Sequence, residues 1–256
     1  MSLVLTDLSD SFSRTCKPEV TVTPTKKAIV FLQARVSSTR LPGKVLLPIN
    51  GLPLAVLAAR RAGNTGRQVT VVTSTEQSDD VLCETLAEYD VEFFRGDLNN
   101  VLSRYADASR TLAVEDMFFR LTADNVFPDG DFLDRMEAQF RESKCDYMAC
   151  SNPESGMPFG VSAEITSVEK LRQAATNASD AYDIEHVTPY IKRHSKIELY
   201  KDKFASAELS NLRCTVDTQD DYNQLEALFR TLDDPVGVSL RSLLELLADQ
   251  EQTCFD

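Results

Sequence analysis

The chain has 256 residues, a net charge of −13 and an ordinary apolar content, which suits one large α/β domain with a substantial core. The acidic balance argues against general nucleic-acid binding, and no apolar run reaches the roughly 18 residues that span a membrane. Residues 1–26 lack the apolar core of a secretory signal, so we expect a loosely ordered leader, a single domain over residues 27–256, and a cytoplasmic protein.

Apolar runs alternate with helical patterns from residue 28 onward. We expect strands at residues 28–34, 69–72, 91–94, 117–121 and 147–150. We expect helices at residues 53–62, from Ser78 to about Glu88, at residues 101–112 and at residues 132–140. This alternation predicts parallel pairing with right-handed crossovers, and therefore a three-layer α/β fold with a mostly parallel sheet.

The later part of the chain is less regular. Extended segments are predicted at residues 161–165, 197–200 and 212–216. Helices are predicted at residues 168–175, 185–193, about 220–232 and 240–247. We find no repeat and no linker long enough to mark a second domain.

The six cysteines are scattered without a CxxC pair. Only His186 and His194 could complete a zinc site, and the spacing matches no familiar zinc pattern. We therefore expect buried, reduced thiols.

One segment of this acidic chain contains no acid. Residues 20–75 have no Asp or Glu but eight Lys or Arg, and three of these, Arg35, Arg40 and Lys44, follow the first predicted strand. Ligands of open α/β sheets sit beyond the carboxyl ends of strands, so this loop is positioned to offset the charge of a triphosphate. Ser38 adds a hydroxyl donor, and Gly43 permits close backbone approach. The alternative is a solvated basic loop; a Walker A motif would need Gly in place of Ser38.

Two aspartates end apolar runs elsewhere in the chain. Asp124 ends RLTAD and Asp217 ends LRCTVD, so both should lie at the carboxyl edge of the sheet. If the strands are near neighbours, carboxylates about 4 Å apart would repel by about 4 kcal/mol at an effective dielectric of about 20. Mg²⁺, which prefers oxygen ligands, would turn that repulsion into attraction. Either residue alone is more typical of a helix N-cap, but the pair together with the basic loop favours a metal site.

The order of these motifs resembles the cytidylyltransferases of the spore-coat polysaccharide family, which are related to the synthetases of CMP-sialic acid and CMP-KDO. The motifs are QARVSSTRLPGK, VVTS, FRG with VLSRY, RLTAD, EHVTPYI and CTVDTQDDY. The resemblance runs from about Lys27 to Leu232.

The resemblance implies a Rossmann-like nucleotidyltransferase fold, usually a homodimer. It implies an enzyme that uses Mg²⁺ to transfer CMP from CTP to a hydroxyl of a sugar or sugar acid, for surface polysaccharide or glycan synthesis. In this view the catalytic residues are Lys44, which binds the CTP phosphates with Arg35 and Arg40, and the Mg²⁺ ligands Asp124 and Asp217.

Further positions follow less directly from the resemblance. Thr73, Ser74 and Arg104 are expected near the nucleotide, and Glu185 and His186 near the acceptor pocket or the dimer contact. In the stretch that ends at Glu164, which is expected on the substrate side, the family has Asp where this chain has Ser162. This departure leaves the choice of acceptor, and the level of activity, open.

Two other functions remain open. A glycosyltransferase that uses a nucleotide sugar would carry a D-x-D motif at a strand end, whereas Asp129 and Asp131 follow Pro128 in a predicted loop. A non-catalytic nucleotide-binding protein is favoured by Ser162 but disfavoured by the retention of both aspartates.

Overall fold

The predicted alternation of strands and helices is present in the computed structural model, which describes residues 26–253. The strands in this part of the chain are β1 (Ile29–Gln33), β2 (Pro48–Ile49), β3 (Leu52–Pro53), β4 (Val69–Ser74), β5 (Phe93–Gly96), β6 (Met117–Thr122), β7 (Tyr147–Cys150), β8 (Ala163–Ser167) and β9 (Ile197–Leu199). The helices are α1 (Leu54–Ala62), α2 (Asp80–Glu88), α3 (Val101–Ala108), α4 (Gly130–Ser143), α5 (Val168–Asn177), α6 (Ala181–His186), α7 (Pro189–Arg193), α8 (Gln219–Phe229) and α9 (Leu240–Thr253). The predicted leader, Cys16 and Cys254 lie outside the described residues.

Seven of the strands form one sheet in the order β5-β4-β1-β6-β8-β7-β9. Neighbouring strands are parallel, except that β8 is antiparallel to both β6 and β7. The prediction of a mostly parallel sheet is therefore confirmed. The crossovers bring the carboxyl ends of β1, β4, β5 and β6 to one edge, where the loops that follow these strands meet.

Both faces of this sheet are covered, as the side chains of β1 show. Val30 and Leu32 pack into a core with α1, α4 and α8, whereas Ile29 and Phe31 pack into a second core with α3 and α5. Successive residues of a strand point to opposite faces, so an uninterrupted apolar strand needs an apolar layer on each side. The three-layer prediction is confirmed.

Several predicted boundaries are wrong. The strand predicted at residues 91–94 begins two residues later, because Asp90, with a φ of 56°, is still in the turn after α2. The helix predicted at residues 185–193 is two helices, and the second begins at Pro189. Proline has no N–H to donate and suits the first turn of a helix, so the chain turns at Val187 before it.

Two local features differ from prediction in kind. Asn50 and Gly51 both have positive φ and join β2 to β3 as a short hairpin, a turn for which Asn-Gly is the favoured sequence. The segment at residues 212–216 is extended but is not a strand of the main sheet. It makes isolated bridges from Thr215 to Asn125 and from Arg213 to Phe159. It therefore lies across the end of β6 and connects two loops.

Among residues 26–253, no helix has both the length and the apolar character that a membrane span requires. The four cysteines described, Cys83, Cys145, Cys150 and Cys214, are free and buried, as predicted. Burial raises the pKa of the Cys150 thiol to about 12, so this thiol is protonated at neutral pH.

Candidate active site

The basic loop leaves β1 and folds back on itself. The amides of Ser38 and Gly43 both donate to the carbonyl oxygen of Val36, at 2.9 and 3.0 Å. Gly43 has a φ of 72°, in the left-handed region that favours glycine, and a single 3-10 turn then begins at Lys44. The turn directs Lys44 toward the carboxyl edge of the sheet. We call residues 34–44 the phosphate loop.

A buried carboxylate, Asp79, anchors the start of this loop. It accepts hydrogen bonds from the Val36 amide at 2.8 Å, the Thr73 hydroxyl at 3.0 Å, and both the amide and the hydroxyl of Ser74. Burial alone would raise the pKa of Asp79, but the hydrogen bonds from Ser74, Val36 and Thr73 outweigh it and lower the pKa. Thr73 and Ser74, which we expected near the nucleotide, are fully buried and hold the loop from beneath.

Sequence reasoning missed Asp79, because a helix was predicted to start at Ser78. An Asp next to Ser78 is typical of a helix start, yet no side-chain cap hydrogen bond is made at the start of α2. The Asp79 carboxylate turns instead toward the loop after β1.

Lys44 joins the two predicted metal aspartates. Its ammonium lies 2.8 Å from Asp124 Oδ2, 3.0 Å from Asp217 Oδ1 and 2.7 Å from the carbonyl oxygen of Val216. The residue is 8% exposed, so these contacts are shielded from bulk water. The predicted convergence of Asp124 and Asp217 with the basic loop is present, although the two residues are far apart in the chain.

Backbone pairing produces the convergence. Asp124 follows β6, and its carbonyl oxygen accepts from the Val216 amide at 2.9 Å, which places Asp217 beside it. The N-cap alternative is wrong for both aspartates. Asp129 caps α4, and Thr218 caps α8 in a capping box.

Asp217 is surrounded by cations. Besides Lys44, it accepts from Arg40 at 2.8 Å and from Arg213 at 2.7 Å. Burial opposes ionisation, but the hydrogen bond and charge of Lys44, with Arg40 and Arg213, lower the pKa of Asp217. Arg213 also pairs with Asp221 at 2.9 Å. Sequence reasoning missed Arg213, because the predicted strand at residues 212–216 gave no indication that its side chain reaches Asp217.

The other cations of residues 20–75 serve the fold. Arg61 is fully buried and donates to the backbone carbonyls of residues 126, 127, 235, 236 and 238. Arg67 pairs with Asp134 and Glu137 on α4. Of the cations in this acid-free segment, those of the phosphate loop therefore remain the candidates for binding an anion.

Three cavities meet at Arg40 and Asp124, which contribute to the wall of each, so they form one cleft. The first, of about 240 Å³, lies inside the phosphate loop and is lined by Arg35, Ser38 and Lys44 among others. The second, of about 910 Å³, lies between residues 97–101 and α6. The third, of about 580 Å³, is lined by Phe159, Gly160, Ser162, Asn125 and Asp217 among others.

Arg104 shapes the second cavity without lining it. It is fully buried and donates to the carbonyl oxygens of Asp97, at 2.9 and 2.6 Å, and Leu98, at 2.9 Å. Its role in the structure is to hold the loop that borders the cavity. Glu185 and His186, on α6, are exposed and line this cavity, and His186 also lines the third. The structure thus brings both of them to the cleft.

Ser162 lines the third cavity, where its hydroxyl oxygen accepts a hydrogen bond from the side-chain amide of Asn125 at 3.2 Å. Glu164, two residues on, has a different role. It accepts from Arg120 at 2.9 Å, Lys192 at 2.9 Å, Tyr147 at 2.6 Å and Thr188 at 3.1 Å. These four partners connect β6, β7 and α7, so Glu164 is a structural residue behind the cavity.

The donor set around Asp124 and Asp217 suits a magnesium ion that arrives with phosphates. Within residues 26–253, no group of three or more His, Cys, Asp or Glu side chains converges as metal ligands. Mg²⁺ in nucleotide sites is commonly held by one or two carboxylates with substrate phosphates and water. Two carboxylates that already share one cation, the Lys44 ammonium, match this arrangement.

The D-x-D candidate does not match it. Asp129 is 2% exposed and accepts from the amides of Phe132 and Leu240, so its oxygens serve the starts of α4 and α9. The feature that would have favoured a glycosyltransferase is therefore part of the fold.

The chain is similar to known proteins over most of its length. The family model described as cytidylyltransferase matches residues 29–254. The spore coat polysaccharide biosynthesis protein SpsF of Bacillus subtilis is 30% identical over 231 residues, covering 86% of this chain and 93% of that protein. A cytidylyltransferase structure from Leptospira borgpetersenii has a TM-score of 0.79 at 27% identity, covering 88% of this chain and 95% of the other.

A more distant structure shares the fold. CMP:2-keto-3-deoxy-manno-octonic acid synthetase complexed with CTP superposes with a TM-score of 0.57 at 16% identity, covering 79% of this chain and 98% of the other. Because the family model spans nearly all the described residues, the chain belongs to the cytidylyltransferase family and is a nucleotidyltransferase.

Proposed function

We propose that the protein transfers CMP from CTP to a hydroxyl of a sugar or sugar acid and releases pyrophosphate, in the synthesis of a surface polysaccharide or another glycan. The observation that carries the proposal is the contact of Lys44 with both Asp124 and Asp217, where three cavities meet. The reaction needs one space for the nucleoside of CTP, one for its triphosphate and one for the acceptor, and all three must open on one reacting centre. A distant structure of this fold is described as complexed with CTP.

The residues divide the chemistry between them. The phosphate loop, with Arg35, Arg40 and Lys44, would hold the β- and γ-phosphates and offset the charge that builds on leaving pyrophosphate. The acceptor hydroxyl would approach the α-phosphorus from the third cavity, opposite the leaving group. In this scheme the protein contributes mostly positioning and electrostatic stabilisation.

Asp124 and Asp217 are the residues that would hold Mg²⁺, which supplies charge stabilisation at the α-phosphate when bound. Before nucleotide binds, the Lys44 ammonium lies between the two carboxylates and partly neutralises them. A triphosphate offers that ammonium a more highly charged partner. We infer that Lys44 moves from the carboxylates to the phosphates as CTP and the cation enter together.

The test is pyrophosphate release with each of the four nucleoside triphosphates and a panel of sugars and sugar acids, with Mg²⁺ present. We expect release with CTP and at least one acceptor, and a kcat about 10²–10³-fold lower for Asp217→Asn, as for other removed electrostatic groups. Asp220→Asn, at an exposed position in the first turn of α8, is the matched control. Binding of CTP without turnover of any acceptor would favour a non-catalytic nucleotide-binding protein instead.

We also propose a homodimer with residues 185–193 at or near the contact. The proposal rests on the homodimer that the family resemblance implies and on the 60% exposure of Tyr182 beside this region. Sedimentation velocity at micromolar concentration should show a dimer, and a monomer at every concentration would contradict it.

A further inference from the structure

We propose that Phe159 is the platform against which the sugar ring of the acceptor packs, which makes it the specificity-determining residue of the third cavity. This inference rests on the proposed function and adds a subsite to it. The ligand class is a carbohydrate: a ring with an apolar face and a rim of hydroxyl groups.

Phe159 is unusual among the phenylalanines of the described residues. Its side chain is 48% exposed. Six other phenylalanines are exposed by 1% or less: Phe31, Phe118, Phe119, Phe127, Phe132 and Phe229. The ring lines the third cavity together with Asp124 and Asp217. Covering an exposed apolar ring removes apolar surface from water, so a ligand that packs on this ring gains binding free energy.

The backbone holds Phe159 in this position. Its amide donates to the Leu212 carbonyl oxygen at 2.9 Å, and its own carbonyl oxygen accepts from the Cys214 amide at 2.8 Å. Gly160 has a φ of 115°, and a Cβ there would lie 2.7 Å from the Thr215 nitrogen, so the chain after the ring is packed directly on residues 214–215. The backbone at Phe159 and Gly160 is therefore held in place, and the ring is exposed from a rigid part of the chain.

The side chain is held as well. The Arg213 guanidinium carbon lies 4.8 Å from the centroid of the Phe159 ring. The same guanidinium donates to Asp217 at 2.7 Å and to Asp221 at 2.9 Å. Arg213 thus joins the ring to one of the two aspartates at the reacting centre, and a molecule resting on the ring lies beside Asp217.

The charged side chains of the cavity wall, Arg40, Asp124 and Asp217, lie at the reacting centre. Most of the remaining wall is uncharged and polar, with hydroxyl and amide groups from Thr122, Asn125, Ser151, Asn152, Ser162 and Thr215. These groups can both donate and accept hydrogen bonds, as the hydroxyl rim of a sugar requires. Sugar hydroxyls would pair with them while the apolar face of the ring covers Phe159.

The other ring that could pack on Phe159 is the cytosine base, and the two cases are separable. If Phe159 serves the acceptor, Phe159→Ala weakens acceptor binding and leaves CTP binding unchanged. If it serves the base, CTP binding falls and acceptor binding does not.

Fluorescence gives a direct test, because the chain has no tryptophan. Phe159→Trp places the only tryptophan of the chain in the cavity, and its emission is read with excitation at a wavelength that tyrosine does not absorb. Phe93→Trp is the matched control, since Phe93 is 38% exposed and begins β5, at the amino edge of the sheet, whereas the cleft opens at the carboxyl edge. Each variant is titrated with 3-deoxy-manno-octulosonate, N-acetylneuraminate, mannose and N-acetylglucosamine, and with glycerol as a polyol without a ring.

We expect a saturable change in emission with at least one sugar for Phe159→Trp, and none with glycerol or with Phe93→Trp. Calorimetry with that sugar should then show a Kd about tenfold higher for Phe159→Ala than for wild type, the scale of one lost aromatic contact. Phe159→Tyr should stay close to wild type. All variants should bind CTP equally.

Three results would overturn the platform: no response to any sugar, an equal response at Phe93→Trp, or a loss of CTP binding in place of sugar binding. Failure of wild type to bind CTP contradicts the proposed function instead, and the sugar titrations would still decide the role of Phe159.

Discussion

Replacing Lys44 with methionine is expected to slow nucleotidyl transfer strongly and, at the same time, to raise the affinity of the nucleotide-free protein for a divalent cation. In the structure, the Lys44 ammonium contacts Asp124 at 2.8 Å and Asp217 at 3.0 Å and is 8% exposed. It therefore occupies the position between the two carboxylates that a metal ion would share. Methionine keeps the length and apolar character of the stem but removes the charge.

The loss of turnover follows from the leaving group. With no ammonium to contact the departing pyrophosphate, kcat should fall by about 10²–10³-fold, the usual effect of removing one electrostatic contact to developing charge. The gain in metal affinity follows from the carboxylates. Without Lys44, Asp124 loses its cation, and mutual repulsion of the two acids favours any cation that enters.

Calorimetric titration of the nucleotide-free protein with Mn²⁺ measures the second effect independently of activity. We expect a Kd at least about tenfold lower for Lys44→Met than for wild type, equivalent to about 1.4 kcal/mol. The gain should disappear in Lys44→Met/Asp217→Asn. Lys196→Met, at an exposed lysine that pairs with Glu198, is the control for loss of a positive charge. Unchanged Mn²⁺ affinity in Lys44→Met would show that the two aspartates do not form a metal site.

The second large effect is expected on stability, from Glu164→Gln. Burial alone would raise the pKa of Glu164, but the charges of Arg120 and Lys192 and the hydrogen bond from Tyr147 lower it from its ordinary value of 4.5 to about 2. A carboxylate whose folded pKa is depressed stabilises the fold fully above its unfolded pKa. That contribution is lost as pH falls from about 4.5 to about 2.

The neutral amide removes this contribution and leaves Arg120 and Lys192 without their anion. Breaking a buried pair from one side costs about 3–5 kcal/mol, and the free energy of unfolding at neutral pH should fall by that amount. Between pH 4.5 and 2, the free energy of unfolding of wild type should fall with pH at a slope set by up to about one proton, which unfolding takes up. Glu164→Gln should lack this part of the slope.

Urea unfolding over this pH range measures both effects. The control is Glu169→Gln, because Glu169 is an exposed residue in the first turn of α5. A free energy of unfolding at neutral pH within about 1 kcal/mol of wild type would contradict the structural role of Glu164, since surface changes usually stay below that size. An unchanged slope against pH would contradict the depressed pKa.

The amino-acid sequence by itself determined the features that depend on neighbours along the chain. The apolar run at β1 and the helices that follow it require strands covered on both faces, because an apolar strand exposed on one side would lose hydrophobic free energy. The phosphate loop was also predictable. Arg35, Arg40 and Lys44 lie close together in a short loop that must leave the carboxyl end of β1.

The tertiary structure decided which of the predicted residues face the cleft. Thr73 and Ser74 looked like nucleotide contacts, yet their hydroxyls hold Asp79, which in turn holds Val36, 43 residues away. Glu164 looked like a substrate contact, yet it pairs with Arg120, 44 residues before it. The local pattern around a polar residue does not reveal whether its partner is a ligand or a distant part of the same chain.

The members of the candidate reacting centre were named from the sequence, but their geometry was not. Lys44 and Asp217 are separated by 173 residues, and their contact depends on residues 212–216 crossing the end of β6 through isolated bridges. Such a crossing has no periodic signal, because a few backbone hydrogen bonds to loops create it and no repeating apolar face accompanies it. The exposure of Phe159 has the same origin: it follows from the backbone bonds to residues 212 and 214 and from the close packing of Gly160 on Thr215, and only the folded chain brings these segments together.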